Sequence, residues 1–137
     1  MSDLNLAKEM LTVQQDIHAA LANNLLVQAE LGDPPRLYDG RPEAPTYPYL
    51  TYGQSRSEET SGDAAQQSTH QITLHLWSRQ NGRREALRLL RTISDAIRDG
   101  VTHTIVPLYL DVLTTPDGRT FHGLLRLSVI TLQETSQ

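Results

Sequence analysis

The segment from His70 to Gly100, HQITLHLWSRQNGRREALRLLRTISDAIRDG, changes its apolar period partway along. His70, Ile72, Leu74 and Leu76 fall on one side of an extended chain, and Gln71, Thr73, His75 and Trp77 fall on the other. Ala86, Leu90, Ile93 and Ile97 then recur at helical spacing. Asn81 is the expected N-cap of that helix and Gly100 its expected C′ stop. A half-buried strand followed at once by an amphipathic helix must bury the helix stripe against a sheet face.

The rest of the chain extends this pattern. Met10, Val13, Ile17 and Leu21 predict a first helix over roughly residues 5 to 22. Asn23 and Asn24 interrupt it, and a short second helix from Leu25 to Leu31 is expected to end at Gly32. Asp33, Pro34 and Pro35 then break the helix. Arg36-Leu37-Tyr38 reads as a short strand and Tyr49 to Gly53 as a better one, joined by a connector holding Pro42, Pro45 and Pro48. Gln54 to Thr69 has only Ala64 and Ala65 as apolar residues and is expected to be a long polar loop. It reads either as a solvated hairpin tip or as an arm that orders against a partner.

The last third is a hairpin turning at Asp117-Gly118. Val106, Leu108, Leu110 and Val112 are expected to share one face, and Pro107 marks an edge or a strand start. On the return strand Phe121, Leu125, Leu127 and Val129 face one way, with His122, Arg126 and Ser128 facing the other. Leu124, Ile130 and Leu132 put an apolar patch on that second face, as contact with a helix or another subunit requires. The expected fold class is α+β: a mainly antiparallel sheet of about five strands with two main helices on one face. The 137 residues fit one domain over 1–137, with the polar loop at 54–69.

Composition removes several functions. The net charge of −4 argues against a grip on a nucleic-acid backbone, which needs a concentrated basic surface. With no cysteine there is no disulfide, zinc-thiolate site or cysteine nucleophile. Residues 1 to 10 lack a signal-peptide pattern, and no apolar run approaches the ~18 residues of a membrane span, so a soluble protein made in the cytoplasm is expected.

Chemistry-bearing constellations are weak. His70 and His75 lie on opposite faces of their strand and cannot jointly hold a metal. His103 and His122 reach a carboxylate only through a tertiary arrangement. Glu58, Glu59 and Asp63 lack the offsets of a calcium loop and read as a solvated charge run. Neither phosphate-loop pattern nor a G-x-S-x-G elbow occurs. The row Arg84, Arg88, Arg91 and Arg98 reads as an exposed helix face balanced by Glu85 and Asp95, as an intersubunit ion-pair surface, or as a phosphate contact. No catalytic residue, cofactor or metal is expected.

The order and spacing of three segments carry a resemblance. APTYPYLTYG from Ala44 to Gly53, the strand and helix from His70 to Gly100, and GLLRLSVITL from Gly123 to Leu132 are similar to the tail-completion, or tail-terminator, proteins of phages and gene transfer agents. The likeness covers about residues 10 to 133, and the 54–69 loop departs from it in length and polarity. It implies a structural virion protein at the head-proximal end of the tail. Such a protein forms a hexameric ring that caps the tail tube, stops its polymerisation and presents a surface to the head–tail connector or stopper. DNA is only passing cargo in the lumen, and no membrane is involved. On that reading Arg84, Arg88, Arg91, Arg98, His122 and Arg126 are expected at subunit interfaces. Arg56, Glu58, Glu59 and Asp63 are expected at the tube or lumen. The alternatives are a head–tail stopper or adaptor ring and, in another class, a small cytosolic ligand-binding α+β domain.

Overall fold

The computed structural model describes residues 5–63, 65–80 and 82–133. Helix α1 spans Leu6–Ala22, and Asn5 caps it by accepting from the Lys8 amide. Helix α2 spans Leu25–Leu31; the Asn24 side chain accepts from the Leu26 and Val27 amides, and Gly32 with φ 97° closes it. Helix α3 spans Arg84–Gly100. Asn81, its expected cap, lies outside the described residues, and Arg83 at the N-cap position makes no side-chain cap bond.

The strands are β1 (Leu37–Tyr38), β2 (Tyr49–Glu59), β3 (Gln66–Ser78), β4 (Thr104–Thr114) and β5 (Phe121–Gln133). They form one open sheet in the order β1-β2-β3-β5-β4, antiparallel except for the β1–β2 pair. The α+β expectation holds. Helices α1 and α3 pack on the sheet, and α2 packs on both of them. Val13, Ile17 and Leu21 of α1 and Ala86, Leu90, Ile93 and Ile97 of α3 close over Ile72, Leu74, Leu76, Leu125 and Val129.

Three expectations change. The polar stretch 54–69 is largely strand: β2 runs on to Glu59 and β3 starts at Gln66. The backbone ladder carries the strand past the point where apolar alternation stops, with Arg56 opposite Gln71 and Glu58 opposite Thr69. The chain from 54 to 69 is therefore a β-hairpin arm, and β5 flanks its β3 side up to Gln66↔Gln133. Second, β4 does not keep one apolar face. A register shift between Pro107 and Tyr109 inserts Leu108 as an extra residue and swaps faces beyond it. Val106 faces away from the helices, while Leu110 and Val112 face toward them. Pro107 does sit on an edge strand.

Third, Gly100 is not a left-handed stop. It is the last helical residue of α3 and Val101 is the cap. Its value is closeness: a Cβ there would lie 2.6 Å from Cβ and 3.2 Å from Cα of Ala20, so α1 and α3 touch at this point. Neither atom can swing aside. Gly100→Ala should therefore destabilise by ~1–2 kcal/mol, an overpacking cost reduced by alanine's better helix propensity. Adding Ala20→Gly should recover part of the loss in urea unfolding, and an additive pair would refute the contact.

Candidate assembly interface

The alternation that points Leu74 and Leu76 at the helices points Thr73, His75 and Trp77 away from them. The register aligns Thr51 and Tyr49 from β2, and His122, Leu124, Arg126 and Ile130 from β5, on that same face. Tyr109, Asp111 and Leu113 of β4 continue it to the sheet edge. Among the described residues no helix covers this face. Tyr109 and Leu113 are 47 % and 48 % exposed. The apolar patch of Leu124, Ile130 and Leu132 thus has no helix of its own chain against it.

One end of the open face is aromatic. Trp77 stacks on His122 with ring centroids 4.1 Å apart and planes 5° apart, and its indole N–H donates to Thr51. Tyr47, Tyr49 and Trp77 follow one another at 5.2 and 6.2 Å. Arg79 lies 4.2 Å over Tyr47, Arg41 6.0 Å over Trp77, and Arg126 5.4 Å over Tyr109. Trp, Tyr and Arg in a cluster are the residues that dominate binding energy at interfaces. Tyr49 is fully buried in this cluster, and its hydroxyl has no hydrogen-bond partner among the described residues.

His75 Nδ1 and His122 Nε2 are 2.6 Å apart and share one hydrogen bond. Burial lowers the pKa of both; Arg126 lowers His75 further, and His75 lowers His122 while Asp111 opposes. Gly53 makes room for this pair, since a Cβ there would sit 2.4 Å from Nε2 of His75. The sequence separated His70 from His75 correctly, but it gave no sign that His122 would meet His75. That contact depends on the β3–β5 register, in which Trp77 lies opposite His122.

The expected interface residues do not form one surface. His122 and Arg126 are on the open face. Arg84, Arg88, Arg91 and Arg98 are on α3, on the helix side of the sheet. Arg88 pairs with Glu30 at 3.0 Å, Arg91 with Asp95 at 3.9 Å, and Arg98 with Asp95 and Asp99 at 3.2 Å each. Arg56, Glu58, Glu59 and Asp63 all lie on the arm, with Arg56 and Glu58 3.8 Å apart and exposed.

A buried polar chain ties the base of the arm to α1. Ser57 Oγ lies 2.7 Å from His70 Nδ1, and His70 Nε2 lies 3.1 Å from Thr131 Oγ1. Thr131 donates to one Glu9 oxygen at 2.9 Å, and Ser68 donates to the other at 3.2 Å. Since Thr131 spends its proton on the carboxylate, it accepts from His70 Nε2–H, and His70 Nδ1 accepts from Ser57. Burial holds the His70 pKa down, against the pull of Glu9. This is not a nucleophile and its base: His70 is fully buried, and its carboxylate is reached only through Thr131. His103 does meet a carboxylate, Asp16 at 3.3 Å, on the surface between α1 and the loop before β4. No group of three metal-ligating side chains occurs among the described residues. No described helix is long and apolar enough to cross a membrane.

A sheet backed by helices on one side, free of helices and aromatic at one end on the other, and carrying a polar hairpin arm defines a small assembly subunit. The model of the family described as Tail completion protein gp17 matches residues 15–132, and the chain belongs to that family. It is a structural component of a virion tail, not an enzyme. A chain of the virion of a native gene transfer agent (GTA) particle is similar in fold, with a TM-score of 0.64 at 14 % identity over 88 % of this chain and 94 % of that one. The gp17 protein of bacteriophage SPP1 is similar with a TM-score of 0.55 at 18 % identity, over 94 % and 95 %. No curated protein sequence matches the chain.

Proposed function

We propose that the protein is a tail terminator. Its subunits assemble into a hexameric ring that caps the finished tail tube, stops tube polymerisation and offers the head's connector or stopper a surface. DNA passes through the lumen. The family match and the two virion-related neighbours in fold support the place in the tail. The observation that carries the ring is the helix-free sheet face, where Tyr109, Leu113 and Leu132 are exposed and Trp77 and His122 only half-buried, and which burial against another copy would complete. Ring closure needs two unlike surfaces on each subunit, and the face and the arm supply them. A net charge of −4 suits a lumen that DNA leaves without being held.

Electron microscopy of the purified protein, alone and with tail tubes, tests this. Rings, or a cap at one tube end, are expected. Monomers that ignore the tubes at high concentration would refute it, and rings found only on the head's connector would make the subunit a stopper. The α3 row has its own test. Arg84→Glu, Arg88→Glu and Arg91→Glu together should leave the monomer folded, because exposed ion pairs are each worth only ~0–1 kcal/mol. Loss of rings in this variant is the result expected if the row is a ring flank; normal rings exclude it.

A further inference from the structure

We propose that the hairpin arm of one subunit docks on the aromatic, arginine-bearing end of the open sheet face of the next copy. The inference rests on the ring reading and names its joint. It takes the arm, expected from sequence at the tube or lumen, and gives it to the neighbouring subunit.

The strands of the arm end at Glu59 and Gln66, at one end of the sheet, and the Trp77 cluster lies at the other, where β3 ends at Ser78. The length of β3 separates Gln66 from Trp77 by ~40 Å, so the strand ends of the arm cannot reach Trp77, Arg41 or Arg79 of their own subunit; Arg126, opposite Thr73, sits between the two ends. Two unlike surfaces at opposite ends of a subunit are what a head-to-tail contact requires.

The arm carries Glu58, Glu59 and Asp63 against Arg56 alone. Among the described residues its one ion pair, Arg56–Glu58, is long and exposed, and Glu59 accepts only from Ser61. The face carries Arg41 and Arg79 at its aromatic end and Arg126 midway along it, against Asp111. None of these three arginines has a carboxylate within 4.0 Å among the described residues. They lie instead over Tyr47, Trp77 and Tyr109, with Arg79 and Arg126 donating to Thr120 and Thr73. A surface of aromatic rings and carboxylate-free guanidinium groups fits a strand-like segment bearing carboxylates. The arm is such a segment on this chain.

Charge inversion tests the pairing. One variant carries Glu58→Arg, Glu59→Arg and Asp63→Arg; the other carries Arg41→Glu, Arg79→Glu and Arg126→Glu. Each alone should need at least tenfold more protein to form rings, and an equimolar mixture should restore them, with the variants alternating around the ring. Rings from either variant at the unmodified concentration would overturn the docking and leave the ring reading standing. An arm variant that forms rings but no longer caps tubes would give the arm to the tube protein and also overturn it. If the unmodified protein forms no ring with or without tubes, the ring reading fails and the joint with it. Should the face variant not fold, Gly62→Cys with Leu113→Cys replaces it. The chain has no cysteine of its own, so oxidation should give a ladder of covalent oligomers only from the double variant. Rings without a ladder would overturn the joint.

Discussion

Acidification from about pH 7.5 to about pH 5.5 should lower the protein's stability, beginning near the ordinary histidine pKa of ~6.5. Three partly or fully buried histidines are the cause. His70, His75 and His122 all have folded pKa values held below the ordinary value, in each case first by burial. An unfolded chain therefore takes up these protons at a pH where the folded chain does not. The stabilisation is complete above pH ~6.5 and is lost as the pH falls toward the folded values, at up to ~1.4 kcal/mol per pH unit for each histidine. Glu9 facing His70 and Asp111 facing His122 reduce the effect, while Arg126 facing His75 increases it. Urea unfolding at several pH values gives the slope. His70→Gln and His122→Gln should each flatten it. Trp77, the single tryptophan, stacks on His122, so its emission should change in the same window. A stability that stays level across this range would refute the assignment of neutral buried histidines.

Glu9→Ala should destabilise by ~2–4 kcal/mol, well beyond the cost of an ordinary helix-surface change. Glu9 accepts from two hydroxyls that are nearly or wholly buried, Ser68 and Thr131, and through Thr131 it fixes His70 and Ser57. Truncation leaves those donors without an acceptor in a place water barely enters. Glu9→Gln keeps one acceptor and should lose about half as much. The loss should be local in its dynamics: amides of the arm should exchange faster in the alanine variant, while those near Trp77 keep their protection. Equal acceleration at both ends would show that the chain of hydrogen bonds does not pin the arm.

Where a segment's apolar period and its end signals agreed, the sequence was readable to the residue. Helix α2 runs from Leu25 to Leu31 between Asn24 and Gly32, as those side chains and that glycine require. The buried stripe of α3 and the opposed faces of His70 and His75 were equally plain, because local period alone decides them. The arm was not legible. Gln, Ser and Thr are no signal for a strand, and here the backbone ladder and the neighbouring β5 extend it. The face of β4 was lost to the single extra residue at Leu108, which no propensity marks. The His75–His122 contact and the approach of Gly100 to Ala20 are tertiary in origin: one follows from strand register, the other from the packing of two helices. The assembly surface was half visible, in the apolar residues of β5's second face. Its aromatic half was hidden because Tyr47, Tyr49, Trp77 and His122 come from separate stretches of chain.

The strand order has a consequence for the protein's birth on the ribosome. β2 and β3 form their hairpin early, but the partner on the other side of β3 is β5, which is translated only after α3 and β4. During that interval the nascent chain carries a long strand with one unpaired edge, the kind of edge that recruits other chains. The hydrophilic stretch from Gln66 to Gln71, broken only by the histidine, makes its outer half a poor template for such pairing. The polarity that hid the arm from a reading by period thus also guards the growing polypeptide against its siblings on the same message.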